Sequence, residues 1–156
     1  MILQYLKKKE NTEEKLANDI YKTILKKSNF FLTNNNFFSN KNYNTSFEIV
    51  SILLIAFIQT NIRNFHNHKK INDILISIFI SDLDESLRTK GIGDMSIGKY
   101  VKSYVKKFYF RLSKYPKNIN FDEDHHLFAE YLKLFDLINK NEEIKASKSF
   151  LLLQKD

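Results

Sequence analysis

Acids, bases and aromatic residues crowd the stretch from Ile71 to Tyr115, INDILISIFISDLDESLRTKGIGDMSIGKYVKSYVKKFYFRLSKY. Three kinds of chemistry are conceivable there. Gly93-Asp94-Met95-Ser96-Ile97-Gly98-Lys99 fits the G-x-x-x-x-G-K phosphate loop, but Tyr100 stands where a Ser or Thr hydroxyl would bind Mg²⁺. Asp94 would also repel a phosphate, and no strand leads directly into the loop. Asp82 and Asp84 form a D-x-D pair that a buried strand ILISIF could deliver for phosphate chemistry. The acids continue at helical spacing into E-S-L-R-T-K-G, however, and the chain lacks the strand–helix alternation of a parallel sheet. The third possibility is recognition by a fixed pattern of charges, and this one survives. No Ser–His–Asp set or paired-carboxylate arrangement stands out elsewhere, so no catalytic residue is assigned.

Metal chemistry is equally poorly served. His66 and His68 alternate in a turn, but Lys69 and Lys70 adjoin them and no acid accompanies them. His125 and His126 follow Asp122, Glu123 and Asp124, which suit the electrostatics of a helix start. The absence of Cys excludes thiolate ligands, thiol nucleophiles and disulfides. No metal and no cofactor is expected.

The elements that must carry the charges are two helices. At 100° per residue, Ile71, Ile74, Leu75, Ile78 and Phe79 gather on one side of a helix from about Lys70 to Thr89, extended by Leu83, Leu87, Ile76 and Ile80. Gly91 stands where a left-handed cap would end it. Asp84 and Arg88, four apart, can pair on the exposed side. Asp82 falls inside the apolar arc, where a carboxylate needs a partner. A second helix is predicted from Ser96, its cap, to Tyr115, stopped by Pro116. Its stripe is Ile97, Tyr100, Val101, Tyr104, Val105, Phe108, Leu112 and Tyr115, with Lys99, Lys102 and Lys106 opposite. Arg111 lies at the stripe's edge, and an Asp82–Arg111 ion pair is expected to lock the two helices as a hairpin.

Phe79, Asp82, Asp84, Leu87, Arg88, Gly91, Gly93, Asp94, Lys99, Lys102, Phe108, Tyr109, Arg111 and Tyr115 together resemble the signature of the ubiquinol–cytochrome c chaperone family. Its bacterial members read close to F-x-D-M-D-x-x-L-R-E-x-G-V-G-D-L-x-V-x-K-x-x-K, followed by A-F-Y-G-R. Ile20, Tyr21, Ile24 and Leu25 are similar to a further I-Y-x-x-I/L segment. Ser46-Phe47-Glu48 stands where relatives often have R-F-E, and Leu53 where they often place a His. The resemblance implies a helical, non-enzymatic assembly factor for respiratory complex III, with newly made cytochrome b as client. It also implies a small partner subunit and a station near the ribosome.

The 156 residues suit one domain, and 43% hydrophobic residues suffice for a core. One Pro and three Gly point to long regular elements. A formal charge of +7 favours anionic partners: RNA, acidic lipid headgroups or an acidic protein face. Neither a secretory signal nor an Arg-rich transit peptide is recognisable at the start, which gives the bacterial cytoplasm as the expected setting, including the inner face of the inner membrane. Phe47 to Ile58 is the strongest apolar run, shorter than the roughly 20 residues of a membrane span, and is read as a buried helix.

Along the rest of the chain, Met1 to Lys9 is a short lead, and a helix opens at Asn11 or Thr12 and runs to about Lys27. Ser28 to Asn44 is an Asn-rich loop whose Phe30, Phe31, Phe37 and Phe38 tuck onto the core or face an apolar client. Thr45 and Glu48 form a T-x-x-E capping box for a central helix from Ser46 to about Phe65. Further helices are expected from Asp122 to about Lys140 and from Asn141 or Glu142 to near the end. The last carries Phe150 to Leu153, either docked or offered to a partner.

The fold expected is therefore all-α, one compact domain over 1–156 with about six or seven helices and a central hairpin at 71–115. Asp84, Arg88, Asp94, Lys99, Lys102 and Lys106 are the expected partner-binding residues, and Asp82 with Arg111 the structural pair. The rival reading is an RNA- or ribosome-binding module using the Lys99, Lys102 and Lys106 face. Peripheral membrane contact is compatible with both, and DNA is not an expected partner.

Overall fold

A chain with one proline and three glycines has few places to stop a helix, and the computed structural model is correspondingly helical. It describes residues 2–64, 68–120 and 122–155, with side chains for 12–62, 68–120 and 122–154. Six helices succeed one another among these: α1 (Ile2–Asn34), α2 (Tyr43–Asn64), α3 (His68–Thr89), α4 (Asp94–Lys114), α5 (His125–Lys133) and α6 (Glu143–Lys155). No strand is formed among the described residues, only an isolated antiparallel bridge between Phe38 and Ile138. The ILISIF run is wholly helical, as its continuation at helical spacing predicts.

The backbone contacts gather into two compact units, Met1–Thr23 with Ile58–Tyr109, and Ile24–Phe57 with Phe110–Asp156. The first unit contains α3 and most of α4. Leu75, Phe79, Leu83 and Leu87 recur every four residues and are buried, while the flanking isoleucines of the predicted stripe, Ile71, Ile74, Ile76, Ile78 and Ile80, are only half-buried. The Phe79 and Phe108 rings lie 5.0 Å apart between the two helices. Asn61 and Asn72 are buried here too, and the Asn61 amide donates to the Asn72 side-chain oxygen at 2.8 Å, so neither amide is left dry and unpaired.

The second unit has an aromatic core. Phe31, Phe37, Phe38, Tyr115, Phe128, Tyr131, Phe135 and Phe150 are all buried, and the closest rings, Phe31 and Phe150, have centroids 4.1 Å apart. Its part of α2 supplies Ile49, Ile52, Leu54 and Ile55, none with measurable exposure. By length and composition alone α2 could cross a membrane over Tyr43–Ile62, yet 67% of that window is buried within the protein. Its apolar surface is used internally, as expected of a core helix.

Several boundaries depart from the predicted ones, each for a local reason. α1 continues through Ser28 to Asn34 instead of yielding to a loop. Ser28, Thr33 and Asn34 each donate to the carbonyl four residues back, so these polar side chains turn inward to the helix and the ladder persists. Tyr21, Ile24, Ser28 and Phe31 extend its buried stripe. Phe31, Phe37 and Phe38 do tuck into the core, while Phe30 is 62% exposed.

α2 is capped by Asn42, whose side-chain oxygen accepts from the Thr45 N–H at 3.1 Å, and not by Thr45. The Thr45 hydroxyl instead donates backwards to the Asn40 carbonyl at 2.6 Å. α4 begins at Asp94 because the Gly93 carbonyl already accepts from Ser96 and Ile97, so Ser96 is not its cap. α5 ends at Lys133, short of the predicted Lys140, and the chain turns through Asp136 at a left-handed φ of 47°. Asp122 to Asp124 precede α5 instead of opening it. In α6, Phe150 and Leu151 are docked and Leu152 is 62% exposed.

Candidate functional site

The turn between α3 and α4 gathers the charges that the sequence singles out. Gly91 adopts φ +91°, accessible to glycine without steric penalty. Its N–H donates to the Arg88 carbonyl at 2.9 Å, and the Ile92 N–H reaches back to the Leu87 carbonyl at 3.2 Å. These two bonds satisfy the last carbonyls of α3 in the 6→1 and 5→2 pattern of a Schellman motif. Two residues later Gly93 opens α4, placing the Asp94 carboxylate in that helix's first turn, where the N-terminal dipole favours an anion.

Arg88 spans the turn. Its Nε donates to Asp84 Oδ1 at 2.7 Å, one helical turn away, and its Nη1 donates to Asp94 Oδ1. The hydrogen bonds it donates to Asp84 and then Asp94 raise the guanidinium pKa above its ordinary range, so it stays charged at every physiological pH. The group is open to water, with Arg88 46% and Asp94 87% exposed at the side chain. Asp84, Arg88 and Asp94 are thus brought together as one acid–base–acid bridge.

Lys99, Lys102 and Lys106 are separate from that bridge. All three are exposed along one side of α4, opposite Ile97 and Phe108, and no ion pair among the described residues engages them. Asp94 is the only acid in α4, and Arg88 holds it. The site therefore has two parts: a bridge at the turn in which one guanidinium serves two carboxylates and leaves it net acidic, and an uncompensated cationic strip along the helix.

The expected Asp82–Arg111 lock is replaced by two other pairings. Asp82 Oδ2 accepts from the Tyr21 hydroxyl at 2.7 Å, within the first unit. A phenol suffices because Asp82 is only half-buried and keeps water on one side. Replacing Tyr21 with phenylalanine removes that donor while keeping the ring. It is expected to lower stability by about 1.5–3 kcal/mol, the usual range for a hydrogen bond to a charged group, as read by urea unfolding.

Arg111 belongs to the second unit, where its Nη2 lies 3.5 Å from Glu48 Oε1. Both side chains are buried, 11% and 5% exposed. The guanidinium stacks 4.5 Å from the Phe135 ring centre, and the Arg111 carbonyl accepts from the Tyr131 hydroxyl at 3.1 Å. Burial pushes the Tyr131 phenol well above its ordinary value, so it remains a donor. Sequence reading missed Glu48 and Tyr21 as partners, although both stand at positions where the family resemblance was legible. Glu48 completes a T-x-x-E pattern that is local, whereas its guanidinium is 63 residues away.

Among the described residues no three His, Cys, Asp or Glu side chains are grouped so as to hold a metal. His66 lies outside the described residues, and His68 begins α3 half-buried. The His125 carbonyl accepts from the Ser147 hydroxyl at 2.7 Å, tying α5 to α6. Gly93 to Lys99 is a helix start with no strand before it, and the acid pair Asp82 and Asp84 lies on a helix. An open groove in the first unit, about 500 Å³, is lined by Glu14, Asn18, Lys70, Asp73, Ser77 and Ser81 over Ile74 and Ile78. Lys70 there is ion-paired with Glu13.

The family model described as ubiquinol–cytochrome C chaperone matches residues 35–134, which include α2 to α5. The fold is similar to the crystal structure of the Cbp3 homolog from Brucella abortus, with a TM-score of 0.72 and 21% identity. The match covers 99% of this chain and 89% of that one. Among curated proteins none matches the sequence.

Proposed function

The chain belongs to the ubiquinol–cytochrome c chaperone family, and from that premise we propose that this complex III assembly chaperone holds newly made cytochrome b at the α3–α4 turn. The observation that carries the reading is the span of the family match, which takes in the Arg88 bridge, the lysine strip and the Glu48–Arg111 pair together. The work is non-enzymatic: the protein shields and positions a client and makes or breaks no covalent bond. The accompanying setting is the bacterial cytoplasm, at the inner face of the inner membrane.

The physical division of labour follows from exposure. A buried ion pair and an aromatic core hold the second unit, while the first unit presents charges to water. Asp94 is available to a cationic group of a partner on its outer side, and Arg88 fixes its position. A client docking there exchanges one set of solvated charge contacts for another, which favours selectivity and reversible release over tight binding.

Deleting the gene in its native host is expected to lower complex III activity and cytochrome b levels, with rescue by the intact chain. Unchanged levels would overturn the function. Charge reversal, Asp84→Lys or Arg88→Glu, is expected to abolish crosslinking to cytochrome b while leaving the circular dichroism spectrum native. Undiminished crosslinking would move the client's site away from the turn.

A further inference from the structure

We propose that the outer strip of α4 is a docking surface for an anionic lipid bilayer. Met95, Lys99, Lys102, Lys106 and Tyr109 fall within about 80° of arc at 100° per residue, on a straight line of about 21 Å at 1.5 Å per residue. The core-facing residues Ile97 and Phe108 lie on the opposite side and are buried. Met95 is fully exposed at one end of the strip and Tyr109 is 47% exposed at the other. The three lysines between them are exposed and engaged by no acid among the described residues. The one acid of α4, Asp94, pairs with Arg88 and falls outside that arc.

Each feature matches the headgroup region of a membrane better than a nucleic acid. Lysine is a point charge on an apolar stem, which lies along the interface with its ammonium among lipid phosphates. The strip has no arginine, the residue whose planar fork recognises phosphates and base edges bidentately. A thioether chain standing free in water gains by entering the acyl boundary, and a tyrosine ring suits headgroup depth. The face is the convex outside of a single helix, whereas single-stranded nucleic acid is tracked along a charged groove. The assignment rests on the chaperone reading for its purpose, since a membrane-embedded client must be met at the bilayer. Its chemistry is tested without that reading.

The test is flotation of the purified full chain with vesicles of phosphatidylcholine alone or with added phosphatidylglycerol. Binding is expected only with the anionic lipid and is expected to fall as salt is raised. Each lysine should contribute about fivefold, so Lys99→Gln, Lys102→Gln and Lys106→Gln together weaken binding by about 100-fold. Met95→Ser with Tyr109→Ser should weaken it further without altering the salt dependence. All five positions are exposed, and circular dichroism checks that the variants fold. Equal binding to both vesicles, or a triple variant that floats like the native chain, would overturn the proposal. So would lysine-dependent capture of a ribosomal RNA fragment with no vesicle binding, which would make the strip an RNA surface. Failure here leaves the deletion phenotype intact, so the two readings fall separately.

Discussion

Arg111→Ala is expected to destabilise the protein by about 3–5 kcal/mol, because it breaks a buried ion pair by removing the guanidinium beside the Glu48 carboxylate. Urea unfolding of the purified chain measures it. Arg111→Lys should recover little, since an ammonium cannot reproduce the flat guanidinium that lies 4.5 Å over Phe135. The informative comparison is the double variant Glu48→Leu with Arg111→Met. Replacing both charges by apolar groups of similar volume removes the desolvation penalty along with the attraction, and most of the stability should return. A single variant that unfolds at the native urea concentration would show that the pair is solvated and does not organise the second unit.

Phe150→Ala should cost about 3–5 kcal/mol as well, through a cavity in the aromatic core. Phe150 has no measurable exposure, and its ring meets Phe31 from α1 and Phe128 from α5. Neither neighbour can follow it into the space without leaving its own partners. Phe150→Leu should lose no more than about 1.5 kcal/mol, because most of the volume is kept. Leu152→Ala, two residues on and 62% exposed, is the control and should change stability by less than about 0.5 kcal/mol. Equal effects at 150 and 152 would mean that α6 is not docked through this ring.

The hairpin was legible because its evidence is redundant. Leu75, Phe79, Leu83 and Leu87 repeat over several turns, Gly91 marks the stop, and the acids after ILISIF continue at helical spacing where a strand would not. The exposed charges were legible too, since Asp84 and Arg88 at i and i+4 need only a helix to meet. What escaped was everything decided elsewhere in space. Nothing around Asp82 points to Tyr21, which is 61 residues away, and Glu48 satisfies a local capping pattern that the fold does not use. Composition misled at Ser28 to Asn34: asparagine, serine and threonine favour loops only while their side chains compete with the helix, and here Ser28, Thr33 and Asn34 bond back into it. At the end of α5 the error was the reverse. Phe135, Leu137 and Ile138 are spaced plausibly for a helix, but Asp136 takes a left-handed turn without a glycine to announce it.

The seam at Phe38 and Ile138 carries a consequence for biosynthesis. Ser39 donates to the Leu137 carbonyl at 3.0 Å and Asn139 to the Phe37 carbonyl at 2.8 Å, closing a stretch of about a hundred residues. A growing polypeptide has every part of the α3–α4 hairpin once Lys114 has emerged. Phe37 and Phe38 can meet Phe31 early, but the backbone bridge that fixes them must wait until Asn139 is made. Such distant closure is slow to nucleate. During synthesis this protein is itself a chain with exposed aromatics awaiting cover, and truncation before Asn139 should yield an aggregating fragment, not a smaller chaperone.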